Sequence, residues 1–313
     1  MGSLAEQKIP VINFKEEHLK PGSDSWISAL KQVRYGFEEY GCLEIVCDQF
    51  PFELHNSIFD AAEDVFNLPK ETKMQKTSTR PGKIGYIAGL PELPLYESIA
   101  LDSATTLEEV EYFTNIMWPA GNNSFRDSVH SFSKRIEVLH EMVTRMVFEN
   151  YGVEGLFNSF WEKRFYVCRF FKYKAPHQTN ESEVGIGAHT DSTFLSILHQ
   201  HQVKGLQIKT KDGQWIDVKP KPSSLFVIAG DVLKVWSNDR VRSCEHQVMV
   251  SEDKIRYSAG LFTFIKGVMQ VPEELIDDEY PLRYKPFDHA EYNRYLLSED
   301  RDKNCPINAF CGI

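Results

Sequence analysis

The sequence predicts an α+β protein, with a mainly helical first half and an antiparallel sandwich or jelly roll in the second. Three observations lead there. Apolar residues before position 150 recur at spacings of three and four, the period of a half-buried helix. After it they fall in short runs rich in β-branched and aromatic residues, cut by Gly, Pro, Asn and Asp. No internal repeat or low-complexity linker separates the halves. Residues 1–150 therefore read as a helical region that does not fold alone, and 151–313 as the core with a C-terminal helix.

The elements follow in order. "IPVINF" reads as a short strand. Ser23 and Asp24 offer caps to a helix over "SWISALKQVRYGFEEYG", in which Trp26, Leu30, Val33 and Phe37 share a face. "CLEIV" reads as a strand and "FELHNSIFDAAEDVFNLP" as a helix that stops at Pro69. The Gly- and Pro-rich segment Thr77–Ser98 reads as loop. A long helix is expected from about Ser124 to Tyr151, apolar along Phe132, Ile136, Leu139, Val143, Met146 and Val147. Seven strands come next: "RFYVCRFFKY", "TFLSILH", "GLQIKT", "QWIDVK", "SLFVIAG", "HQVMV" and "RYSAGLFTFI". Asp212-Gly213 supplies a hairpin turn between the third and fourth. "FDHAEYNRYLLS" closes the pattern with a helix.

Composition excludes several classes of function. The 313 residues are 42% hydrophobic and 26% charged, an ordinary globular balance, with a formal net charge of −10 and no Lys/Arg run. Nucleic-acid binding needs the opposite sign. No apolar run approaches the roughly 20 residues that span a bilayer, and "MGSLAEQKIPVINF" lacks the cationic start and apolar core of a secretory signal. The six cysteines are scattered without a Cys-x-x-Cys pair, as reduced thiols of a cytoplasmic protein would be.

Within "GIGAHTDSTFLSILHQ" stand His189 and Asp191. Alone, His-x-Asp is weak evidence for a metal. On a strand, however, residues two apart face the same way and can reach one ion. His246, opening "HQVMV", is the natural third ligand. Two imidazoles and a carboxylate on one side of an ion leave other positions open, the arrangement of non-haem Fe(II) oxygenases, in which O₂ and a chelating co-substrate take those positions. His199 and His201 form a competing pair, expected as exposed polar residues at a strand end. The other histidines (18, 55, 130, 140, 177 and 289) are expected to lack partners. Ten residues past His246 come Arg256 and Ser258, which share a strand face and suit a carboxylate.

The ordered set His-x-Asp, a distant His and Arg-x-Ser resembles the plant 2-oxoglutarate/Fe(II)-dependent dioxygenases, and the likeness spans nearly the whole chain. "IPVINF", "FEEYGCLEIVCDQF", "VFNLPKETK" and "WSNDRVRSCEHQV" resemble segments of that family. "GYIAGLPELPLYES" and "KYKAP" resemble its AOP-like subgroup, to which the auxin-oxidising dioxygenases are related. The resemblance implies a double-stranded β-helix core packed against the N-terminal helices. It implies Fe(II) on His189, Asp191 and His246, and 2-oxoglutarate on Arg256, Ser258 and Tyr173. It also implies O₂ as oxidant, ascorbate as reductant and a small-molecule substrate; a monomer is the default expectation for assembly. Where the family uses Asn-x-Tyr, this chain has Phe171 before Tyr173, which removes one polar contact to the co-substrate. Phe171, Thr193, Phe262, Phe264, Phe113 and Trp118 are the expected substrate contacts. Two other readings stand beside this one. The first is an oxygenase of the same fold that does not use 2-oxoglutarate. The second is a non-enzymatic β-sandwich binding protein.

Overall fold

The computed structural model describes residues 8–14, 20–47, 50–75, 85–176, 182–251 and 253–313. The chain runs β1 (Val11–Phe14), α1 (Asp24–Glu39), β2 (Cys42–Cys47), α2 (Phe52–Asn67), α3 (Lys70–Lys73), β3 (Tyr86–Leu90), β4 (Leu93–Asp102), α4 (Leu107–Met117), α5 (Asn123–Asn150) and α6 (Phe157–Trp161). It continues through β5 (Arg164–Tyr173), β6 (Glu183–His189), β7 (Leu195–Gln200), β8 (Leu206–Lys209), β9 (Trp215–Asp217), β10 (Ser224–Ala229), α7 (Asp231–Trp236), β11 (His246–Val250) and β12 (Arg256–Ile265). β13 (Val268–Met269), β14 (Phe287–Asp288), α8 (His289–Leu296) and α9 (Pro306–Cys311) complete it.

Two sheets face each other. The larger has the order β1-β2-β10-β7-β12-β5-β4-β3 and the smaller β6-β11-β8-β9. Strands from both sides of residue 150 share the larger sheet, because β2 pairs with β10 and β4 with β5. Its outer face packs on α1, α2, α4 and α5 through the main core, which includes Phe37, Ile58, Phe132, Val143, Phe170 and Leu261. Its inner face looks toward the small sheet.

Local sequence explains the helices. Ser23 caps α1 by accepting from the Trp26 amide, and the Trp26–Leu30–Val33–Phe37 stripe is buried. Gly41 ends that segment at φ +70°, where an added Cβ would meet the Arg242 carbonyl at 2.5 Å, so no other residue fits without backbone movement. Asn122 caps α5 from the Phe125 amide. Asp288 caps α8 by accepting from the Ala290 and Glu291 amides.

Two differences from the sequence reading concern this frame. The Gly/Pro-rich segment expected as loop up to Ser98 becomes, from Tyr86, the hairpin β3–β4; its earlier residues 77–84 lie outside the described set. Pro94 is tolerated there because the ladder to β5 begins only at Tyr96, so its missing N–H costs no bond on that side. The second is α4, which took no part in the expected element list. Its inner residues Val110, Phe113 and Met117 supply the apolar stripe that pins it to α5.

Candidate active site

Between the two sheets lies a cavity of about 200 Å³, and its lining includes His189, Asp191, His246, Arg256 and Ser258. β6 and β11 are antiparallel neighbours, and their register sets His189 directly opposite His246. The two rings stand 4.3 Å apart between centroids. Strand alternation accounts for only part of the cluster. β6 ends at His189, and Asp191 lies beyond it on the turn, not on the strand face where the sequence reading put it. Its Oδ1 lies 3.9 Å from the Nε2 of each histidine. The three ligand atoms all lie within 4.8 Å of one another, the only such cluster among the described residues.

The orientation of each donor is fixed from behind. His189 Nδ1–H donates to the Gly187 carbonyl at 2.8 Å, and His246 Nδ1–H donates to the Cys244 carbonyl at 3.0 Å. Each bond holds the tautomer whose Nε2 lone pair looks at the shared point. Desolvation, with His246 adding to it, holds His189 down at about 4, so it is a neutral imidazole at physiological pH. Asp191 Oδ2 accepts from Ser196 Oγ at 2.5 Å, and Ser196 in turn bonds Thr193 Oγ1 at 2.9 Å.

A second brace was not anticipated from sequence. Asp231, 2% exposed, accepts from Ser243 Oγ and Tyr292 OH at 2.6 Å each, and from Thr190. Its own amide donates to the Asp191 carbonyl at 2.8 Å. One carboxylate thus ties Thr190, between His189 and Asp191, to the segment leading into His246. Its signal in the sequence was an acid placed directly after the apolar run "SLFVIAG".

The other end of the cavity is cationic. In the ladder β4–β5–β12–β7, Tyr96, Tyr173 and Arg256 are side by side; Ser98, Phe171, Ser258 and Gln200 form the next row. Arg256 is 2% exposed. Its Nη1 donates to Ser258 Oγ at 3.2 Å, its Nη2 to Gln200 Oε1 at 2.8 Å, and its Cζ lies 5.1 Å from the Tyr173 ring centroid. Among the described residues no carboxylate pairs with it, and its buried Nε has no acceptor. Burial lowers its pKa and raises that of Tyr173. A buried cation without a counter-ion is costly, and a ligand carboxylate relieves that cost.

The donor set fits ferrous iron. Two imidazoles and one carboxylate converge on one side, leave positions open and include no thiolate. The lone Arg256 beyond them fits the far carboxylate of a dicarboxylate.

Of the expected substrate contacts, Phe171 and Phe262 line the cavity, their rings 6.0 Å apart. Four others do not. Phe113 and Trp118 pack on Phe125 at 5.7 and 4.6 Å, and Phe125 meets Phe170, which faces away from the cavity because it alternates with Phe171. Phe264 shares the inner face of β12 but lies past the cavity, stacked on Phe165 and against His289. Thr193 is buried behind Asp191 and reaches the site only through Ser196. The cavity wall also includes Tyr96, Arg169 and Leu198, absent from the sequence reading.

The competing histidines are not exposed polar residues. His199 is fully buried in β7, where its Nδ1–H donates to the Ser224 carbonyl at 3.0 Å, and its Nε2 accepts from His55 Nδ1 at 2.9 Å. His201 stacks on Phe59 at 4.6 Å. His140 and His289 also have partners: Leu261 and Thr263 for the first, Ser192 and Ile265 for the second.

Comparison with known proteins agrees with this geometry. Residues 165–265 match the 2OG-Fe(II) oxygenase superfamily, and residues 9–101 match the N-terminal region described as non-haem dioxygenase in morphine synthesis. The chain is 39% identical over 314 residues to the probable 2-oxoglutarate-dependent dioxygenase AOP1.2 of Arabidopsis thaliana, covering 98% of this chain and 96% of that one. Among solved structures, the dioxygenase for auxin oxidation of rice superposes with a TM-score of 0.82 at 26% identity, over 98% of this chain and 100% of that one. The Arabidopsis thaliana auxin-oxidising dioxygenase in its 2-oxoglutarate complex gives 0.76, also at 26%, over 88% and 100%.

Proposed function

This chain belongs to the 2-oxoglutarate/Fe(II)-dependent dioxygenases, and from that premise we propose that His189, Asp191 and His246 hold its iron and Arg256, Ser258 and Tyr173 the far carboxylate of 2-oxoglutarate. As a member of that family it is an oxidoreductase that uses O₂. The proposed reaction is hydroxylation of a C–H bond in a small specialised metabolite or hormone. The observation that carries the assignment is the pairing of a three-donor cluster with a buried guanidinium that has no counter-ion of its own among the described residues.

When bound, iron with 2-oxoglutarate and O₂ supplies the oxidising power, the co-substrate leaving as succinate and CO₂ while one oxygen atom goes to the substrate. The chain's own residues hold and exclude. Gly187, Cys244 and Ser196 fix the three donors. Gln200 and Ser258 hold the Arg256 fork at the cavity wall, where it pairs with a carboxylate. Phe171 and Phe262 give an apolar wall that keeps water from the reacting C–H bond. Ascorbate as reductant, a cytoplasmic setting and a monomeric state complete the proposal. Six free cysteines are in keeping with a reducing compartment, and among the described residues no helix is long and apolar enough to cross a membrane.

Phe171 favours one competing reading, an oxygenase that draws no electrons from 2-oxoglutarate, because it supplies no polar contact there. The uncompensated Arg256 argues against it. Measuring succinate against O₂ consumed separates them: the proposal requires one succinate per turnover, and O₂ uptake without succinate supports the competing reading instead.

A further inference from the structure

Taking the reading above as its basis, we infer that Tyr96 donates a hydrogen bond to the metal-facing, keto-acid end of 2-oxoglutarate. Tyr96 lines the cavity and is 8% exposed, and Ser98, next on the same face of β4, is fully buried. Tyr96 stands opposite Tyr173, and Ser98 opposite Phe171. The ladder gives this step a direction. The row of Arg256 comes first, then that of Ser258, and further on that of Ser196, which bonds Asp191. Moving from Tyr96 to Ser98 therefore moves about 7 Å from the Arg256 clamp toward the metal ligands. The Tyr96 hydroxyl is carried that way, because it donates to Ser98 Oγ at 2.9 Å.

The two hydroxyls carry one proton more than they use. Ser98 Oγ accepts from Tyr96 and also from Arg169 Nη1 at 2.8 Å, which engages both its lone pairs. Its own O–H has no acceptor among the described residues. A buried O–H left that way is costly. Hydroxyl protons rotate to suit their partners. With a ligand oxygen beside Tyr96, Ser98 turns its proton to the Tyr96 oxygen, and Tyr96 turns its own to the ligand. Every donor of the pair is then satisfied, and the Arg169 bond to Ser98 is kept throughout. The ligand that fits is the co-substrate. A cavity of about 200 Å³ holds about seven waters, and 2-oxoglutarate takes up most of that room. Tyr96 also sits deep, in the row of Tyr173 and Arg256, where the first molecule to enter lies. Phe171, its ring 6.3 Å from that of Tyr96, offers the same end no polar atom. An oxygen of the primary substrate has the same accepting chemistry, and the test separates the two.

The test uses the full-length protein, anaerobic and loaded with Fe(II), as wild type, Tyr96→Phe, Ser98→Ala and Arg256→Gln. 2-Oxoglutarate is titrated into each. Calorimetry reads its affinity, and the position of the visible charge-transfer band at saturation reads its metal-facing end. Tyr96→Phe is expected to bind 2-oxoglutarate about tenfold more weakly and to move the band, with Fe(II) affinity changed by less than about twofold. Ser98→Ala breaks the same internal bond but keeps the phenol proton, so its affinity falls by less than about threefold. Arg256→Gln weakens binding at the far carboxylate and leaves the band of the saturated protein in place. Unchanged 2-oxoglutarate affinity in Tyr96→Phe overturns the inference and leaves the phenol to the primary substrate. A loss without a band shift, or the same shift in Arg256→Gln, overturns it too, since the contact is then not at the metal-facing end. Equal losses in Tyr96→Phe and Ser98→Ala overturn it as an effect of packing. If the wild type itself fails to bind 2-oxoglutarate, the functional reading fails first; a wild type that binds it, matched by Tyr96→Phe, sinks the inference alone.

Discussion

Among the described residues two histidine clusters lie within this fold, and only one has donors arranged for a metal. At the sheet edge, His189 and His246 turn both Nδ1–H groups outward to backbone carbonyls, and their free Nε2 atoms face a carboxylate. Between α2 and β7, His55 Nδ1–H donates to His199 Nε2 and His199 Nδ1–H to the Ser224 carbonyl, among Phe50 and Phe59. Burial depresses imidazole basicity in both places: His55 is held at about 4 and His199 at about 3, beside about 4 for His189. Neutral, buried imidazole therefore does not define the site. What separates the clusters is whether second partners leave lone pairs converging on one point with a carboxylate among them.

The largest expected effect breaks the first cluster. Asp191→Ala abolishes Fe(II)-dependent turnover and weakens Fe(II) binding by about a hundredfold or more, measured by anaerobic titration. Arg256→Gln comes next. Iron binding is retained, while 2-oxoglutarate affinity falls by about two orders of magnitude, because a buried charge–carboxylate pair loses one partner. Asp231→Asn tests the brace behind the ligands: Fe(II) affinity drops by about tenfold with little change in melting temperature. The smallest effect belongs to the second cluster. His199→Leu leaves iron and 2-oxoglutarate affinities at wild-type values but costs about 1–2 kcal/mol of stability, since the Ser224 carbonyl and His55 Nδ1 lose their partner.

The second cluster also sets a pH dependence. His55 and His199 titrate lower in the folded protein than the ordinary imidazole value near 6.5. On acidification the unfolded chain protonates first. Their contribution is therefore intact above about pH 6.5 and is lost as pH falls from there toward 4. The melting temperature of His199→Leu should decline less steeply than wild type across that window; equal slopes would remove this cluster as the cause.

Much of the site was legible in the sequence because strand period converts spacing into direction. His189, Arg256, Ser258, Tyr173 and Phe171 could be set on common faces that way, and register then brought His246 opposite His189. What period alone cannot give is which face of a sheet meets which layer. Phe113 and Trp118 look equivalent to Phe262 as aromatic residues, yet α4 carries them to the outer face of the sheet. Asp191 reached the cluster through a turn instead of the strand, and Asp231 through tertiary hydrogen bonds to Thr190, Ser243 and Tyr292, none of which is near it in the sequence pattern. The hairpin β3–β4 was hidden because Gly and Pro signal loops locally, whereas pairing with β5 decided the outcome.

The central claim is that three side chains at the mouth of β6 and β11 form the one iron seat, with Arg256 presenting the co-substrate to it. Anaerobic addition of Fe(II) and then 2-oxoglutarate, followed by visible absorption, tests it most directly in wild type, Asp191→Ala and His199→Leu. The account predicts one Fe(II) per chain and a charge-transfer band that appears only with 2-oxoglutarate, missing in Asp191→Ala and unchanged in His199→Leu. A band that survives Asp191→Ala, or disappears in His199→Leu, would contradict it.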